Sequence, residues 1–170
     1  MIKAKILLLI LLLPFSIYSQ KNVNITNNFS VTFPIEPNKT IDKIKMRLIG
    51  EVEMLTFNCE EDSFNILFST FEVPEKSFTT FEEEYNFCNG MIHGMNEFQF
   101  PGDTLKIFDI EYRSYKGQEF YIKSDLESFY NGGRIFLINN QIYIFSAFAM
   151  GEEKINVVKT FFDSFIEIDN

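Results

Sequence analysis

The sequence predicts an α+β domain: a mostly antiparallel sheet of about six to seven strands with helices packed on it. Three observations carry this. Short apolar–polar alternations recur in pairs around turn-forming residues, which is the pattern of hairpins rather than of parallel crossovers. Two other stretches repeat apolar residues every three or four positions, as helices lying on a sheet do. No second-domain linker, internal repeat or low-complexity tract divides the 170 residues, of which 46% are hydrophobic, so a single core is expected.

Residues 1–19 stand apart from that domain. Lys3 and Lys5 precede an apolar run, Ile6 to Leu13, followed by Pro14 and a short polar end. This is the three-part layout of a secretory signal peptide, with Ser19 as the small residue before the cut. The run is too short for a transmembrane helix, and no Cys lies near residue 20 to take a lipid, so no stable membrane anchor is expected after cleavage. The protein is therefore expected to be exported, either periplasmic or secreted. Removing this segment takes Lys3 and Lys5 with it and moves the formal charge from -9 to -11. A domain this acidic is a poor binder of nucleic acid or anionic lipid.

Residues 20–28 are polar and Asn-rich and read as a lead-in, leaving 29–168 as the domain. Phe29, Val31 and Phe33 alternate with Ser30 and Thr32 in a short strand that Pro34 ends. Ile35 to Lys45, with Pro37 and mixed charges, reads as a loop. Met46 to Cys59 and Phe64 to Val73 then form a hairpin around an acidic tip. Thr79 or Thr80, with Glu82 or Glu83 three residues on, supplies a capping box. Behind it Phe78, Phe81, Tyr85, Cys88, Ile92 and Met95 make one continuous helical stripe, which Gly90 and Gly94 weaken near its end. Thr104 to Arg113 and Gly117 to Ser124 form the next hairpin. Asp125 to Asn131 reads as a looser segment. Gly132-Gly133 suggests a bulge or a close backbone approach before the last one.

That last hairpin is the clearest element. Arg134 to Ile138 and Gln141 to Ala149 flank Asn139-Asn140, and Asn tolerates the positive φ that a two-residue turn demands. One face carries Ile135, Leu137, Ile142, Ile144 and Phe148 and is plainly core. The other carries Arg134, Phe136, Ile138, Gln141, Tyr143 and Phe145. Being aromatic and mixed, it is either covered by a second layer or left as a contact surface. Glu152-Glu153 then start a helix, since carboxylates complement the positive end of its dipole, and Ile155, Val158, Phe161, Phe162, Phe165 and Ile166 give it an apolar side.

Little here is equipped for catalysis. His93 is the only histidine and has no nucleophile or carboxylate beside it. Neither a nucleophile elbow, a phosphate-cradling glycine loop nor a dinucleotide fingerprint is present. Asp109/Glu111 and Glu82 to Glu84 are carboxylate sets of the kind common on any acidic surface. Cys59 and Cys88 are either bridged in an oxidising compartment or buried as free thiols, and they lack zinc-site spacing. The expectation is a non-enzyme with no cofactor and no metal. The candidate ligand-binding residues are Arg134, Phe136, Tyr143 and Phe145, with Arg134 suited to a carboxylate or phosphate.

Several of these stretches together resemble the PsbP-like (Mog1/PsbP-like) superfamily: Phe29-Ser-Val-Thr-Phe-Pro34, the pair of strands around Gly117-Gln-Glu119, Arg134 through Tyr143, and the closing Phe161-Phe-Asp-Ser-Phe165. With Ser19-Gln20 ending the signal segment, the chain is similar within that superfamily to small exported proteins of Bacteroidetes type. The resemblance implies an α-β-α sandwich. Members include photosystem II extrinsic subunits, a Ran-binding import factor and bacterial envelope proteins, which share no catalytic motif. It thus implies a protein-interaction or envelope accessory module with an unknown protein partner. The alternative is a small-ligand binder using the face near Arg134, Phe136 and Tyr143.

Overall fold

Strands of nine or more residues joined by two-residue turns must run back along their neighbours, and the computed structural model of this protein is built that way. It describes residues 20–75, 77–99, 104–123 and 128–168. Residues 1–19, read as a signal segment, lie outside the described residues, as do 125–127 of the segment read as loose; the end of that segment, 129–131, is strand instead.

The strands are β1 (Lys21–Asn24), β2 (Phe29–Phe33), β3 (Asn38–Met46), β4 (Gly50–Glu61) and β5 (Phe64–Glu72). Helix α1 (Phe81–Gln99) follows, then β6 (Thr104–Tyr112), β7 (Tyr115–Lys123), β8 (Phe129–Ile138) and β9 (Gln141–Met150). Helix α2 (Glu152–Phe162) and a short strand, β10 (Ile166–Glu167), end the fold. Seven strands make one sheet in the order β3-β4-β5-β9-β8-β7-β6, every neighbour antiparallel. A second, three-stranded sheet has the order β1-β2-β10.

The β8–β9 hairpin has the expected register, with Ile135 opposite Ile144, Leu137 opposite Ile142 and Ile138 opposite Gln141. Asn139 and Asn140 both take positive φ, 51° and 63°, which matches the right-handed twist of the strands they join. Arg113 and Ser114 do the same between β6 and β7, at 50° and 73°. The paired glycines sit inside β8 rather than before it. A Cβ on Gly133 would collide with the Phe145 carbonyl and approach the Phe120 ring at 2.8 Å, so close approach of backbones is the reason for them.

The sheet separates two cores. On one face α1 packs Phe87, Cys88 and Ile92 against Phe71, Phe120, Ile135, Ile142 and Ile144. On the other, α2 and the small sheet cover Phe68, Phe136, Tyr143 and Phe145 with Phe29, Val31, Phe33, Phe161 and Phe165. Helix α1 starts as its sequence suggests. Thr80 Oγ1 accepts from the Glu83 N–H at 3.3 Å, while the Glu83 carboxylate accepts from the Thr79 N–H at 2.6 Å.

Four expectations are corrected. Residues 38–45, read as loop, fall in edge strand β3; its side chains are nearly all exposed, so no apolar alternation marks it. Residues 21–24, read as lead-in, pair with β2. The α1 stripe is displaced: Phe81 stands exposed and Phe87, left off it, is buried. Helix α2 stops at Phe162, where the Asp163 N–H donates to the Lys159 carbonyl, so Phe165 reaches the core from extended backbone and Ile166 pairs with Ser30.

Candidate functional site

The aromatic centre of the mixed β8–β9 face is covered rather than open to solvent. Phe136, Tyr143 and Phe145 are each at most 3% exposed. They are roofed by the turn that leaves α2, with the Phe165 ring 5.2 Å from Phe145, 5.3 Å from Tyr143 and 5.9 Å from Phe136. The mixture of polar and aromatic residues arose because Arg134 and Gln141 lie toward the covered area's rim while the aromatic residues fill its centre.

Arg134 does hold carboxylates, but they are the protein's own. Its Nε donates to Glu119 Oε2 at 2.6 Å, and its Nη1 to Asp163 Oδ1 at 2.9 Å and to the Phe162 carbonyl at 3.3 Å. The guanidinium also lies 5.3 Å from the Phe162 ring centre and 5.9 Å from that of Tyr112. Burial on its own would ease the proton off this group; the hydrogen bonds and charges of Glu119 and Asp163 outweigh it and hold the proton on more tightly than usual. Tyr112 joins the clasp by donating to the Asp163 carbonyl at 2.7 Å. The group neutralises the carbonyl end of α2 and ties it to the sheet.

Cys59 and Cys88 are free and lie in the two separate cores, on opposite faces of the sheet, so the possible bridge is not formed. Burial pushes the Cys88 thiol up to about 12, with Glu84 adding to the effect, and pushes Cys59 up to about 11. Both stay protonated and unreactive at neutral pH. His93 is exposed on α1.

What the sequence set aside, the structure gathers. Beneath the N-terminal half of α1, between the helix and strands β6 and β7, lies a cleft of about 430 Å³. Phe81, Glu84, Tyr85 and Cys88 line it from the helix. Asp109, Glu111, Lys116 and Gln118 line it from the strands, over a floor of Ile135 and Leu137. Cross-strand pairing explains the grouping: Asp109 lies opposite Gln118, Glu111 opposite Lys116, and Gln118 opposite Ile135. Lys116 leans across the mouth, its Nζ 5.5 Å from the centre of the exposed Phe81 ring. Gln118 is only 3% exposed, and neither Oε1 nor Nε2 has a hydrogen-bond partner among the described residues. On the opposite side of the same two strands Phe108 and Tyr121 stack face to face in solvent, ring centres 5.6 Å apart and planes 14° from parallel. No sequence signal marks the cleft, because α1 and β6–β7 meet there only through the tertiary fold.

Seven antiparallel strands with a helix on each face, and a small sheet closing one of them, define a PsbP-like α+β fold. The solution structure of cyanobacterial PsbP (CyanoP) from Synechocystis sp. PCC 6803 is similar to it, with a TM-score of 0.54 and 15% identity over 91% of this chain and 96% of that one. No family model and no curated protein matches the sequence. Among the described residues no helix is long and apolar enough to cross a membrane.

Proposed function

We propose that the protein is a non-enzymatic, exported accessory module that works by binding another protein of the cell envelope, as the resemblance to small exported proteins of Bacteroidetes type suggests. The observation that carries this is the stacked Phe108–Tyr121 pair, which stands in solvent on the outer strands of the sheet, away from the buried core under α2. Aromatic side chains offer large contact area at small entropic cost and are enriched where proteins meet. The groups that first suggested chemistry support the reading by being otherwise engaged: Arg134 clasps α2, Tyr143 is core, and both thiols are buried and protonated. An acidic balance points away from nucleic acid and anionic lipid as partners.

The test is capture from envelope extract by the exported form of the protein and by a Phe108→Ser/Tyr121→Ser variant with an unchanged melting temperature. A polypeptide retained by the first and lost with the second is expected. Equal retention by both, or none by either, would overturn the proposal.

A further inference from the structure

We propose that the cleft between α1 and β6–β7 is a binding site for a small organic cation that carries an amide or carbonyl group close to its charge. The inference does not depend on a protein partner, because the Phe108–Tyr121 pair faces the other side of the same strands.

Three features of the cleft select this chemistry. The first is its charge. Glu84, Asp109 and Glu111 oppose only Lys116 among the lining residues, and the Lys116 ammonium already lies over the Phe81 ring. A concave site with three carboxylates to one ammonium concentrates cations. These carboxylates do not converge: among the described residues no group of three potential ligands could hold a metal ion. The charge is therefore spread around a rim, which suits an extended ammonium or guanidinium rather than a bare ion.

The second feature is Gln118. An apolar side chain of similar size would pack well beside Ile135 and the neighbouring Phe120, and would leave nothing unpaired. The chain instead places a buried primary amide there, with both its donor and its acceptor unmet among the described residues. A ligand amide or carbonyl satisfies Nε2, and a ligand N–H satisfies Oε1. Size and walls are the third. About 430 Å³ lies in the range of small-molecule pockets and admits an amino-acid-sized body. The ring of Tyr85, 6.4 Å from that of Phe81, offers a π face to the cation. The Cys88 thiol on the helix side remains neutral and contributes only soft apolar surface.

The experiment is calorimetric titration of the exported protein with L-argininamide, and with Nα-acetyl-L-citrullinamide, in which acylation of the α-amine and a neutral urea in place of the guanidinium remove both positive charges. Argininamide is expected to bind at least tenfold more tightly, and to weaken as salt is raised. Gln118→Leu is expected to reduce argininamide affinity at least tenfold while leaving the melting temperature equal or higher, since it removes an unpaired buried amide. Asp109→Asn/Glu111→Gln, at the rim, is expected to abolish the preference for the cation, and it serves alone should Gln118→Leu fail to fold. Equal binding of the two probes, no binding at millimolar concentration, or an unchanged affinity in both variants would overturn the proposal. So would a lower melting temperature in a folded Gln118→Leu, which would make the amide a structural group.

Discussion

At the scale of single residues the protein shows how far a side chain's role depends on what the fold brings beside it. Arg134 is suited by its planar fork to hold an anion, and the fold supplies two from within, Glu119 and Asp163. The Asp163 end is largely exposed and contributes little, whereas the Glu119 end and the Phe162 carbonyl are sheltered. Arg134→Met is therefore expected to cost about 2 kcal/mol in urea unfolding, mainly by leaving Glu119 half-buried without its partner. Arg134→Lys should recover less than half of that, because an ammonium cannot serve the carboxylate and the helix end in one geometry. A lysine variant as stable as the parent would mean that charge alone, and not the fork, matters here. The chemical capacity of Arg134 was legible in the sequence, but its partners were not. Glu119 is fifteen positions away on a neighbouring strand and Asp163 lies beyond a helix end that the apolar spacing concealed.

At the scale of elements, legibility followed burial. The β8–β9 hairpin was readable to its register because one face is wholly apolar, the other is largely aromatic, and the turn residues are specialised. Asn140 sits at φ 63°, a conformation glycine adopts without steric cost. Asn140→Gly is expected to stabilise the protein by about 0.5 kcal/mol, and Asn140→Val to destabilise it by about 1–2 kcal/mol, both measured by thermal melts. Similar melting temperatures for the two variants would show that the turn relaxes. Edge strand β3 was unreadable for the converse reason: a strand exposed along almost its whole length has no apolar period, and its lysines and Asp42 read as loop while serving to discourage edge-to-edge association. The end of α2 misled because Phe165 and Ile166 continue a helical spacing by coincidence, while one residue enters the core and the next joins a strand. The cleft had no signature at all, since positions 81–88 and 109–118 are far apart in the chain and meet only through the sheet.

Over the whole molecule, the two cores hold ionisable groups in their neutral forms, and this gives the protein an alkaline limit. Burial raises Cys88 from 9.0 to about 12 and Cys59 from 9.0 to about 11, and raises Tyr130 as well. The unfolded chain ionises these groups first. Their contribution is therefore fully present below pH 9 and is lost as pH climbs toward the folded values. For Cys88 the loss reaches about 2 kcal/mol by pH 10.5. Urea unfolding between pH 8 and 10.5 should show a steep fall, made shallower in Cys88→Ala; identical slopes would mean that the thiol ionises in the folded state too.

Strand β2 has one further consequence, which concerns time rather than energy. It is among the earliest strands in the chain, yet its two neighbours come from opposite ends of the domain: Val23 beside Val31, and Ile166 beside Ser30. The apolar face of β2 is covered in part by Phe161 and Phe165, which also come late. A growing chain makes this strand near the beginning and cannot complete its surroundings until the last turn has been synthesised. The order of synthesis and the order of packing are thus forced apart, and Phe29, Val31 and Phe33 must wait, uncovered, for the segment that closes over them.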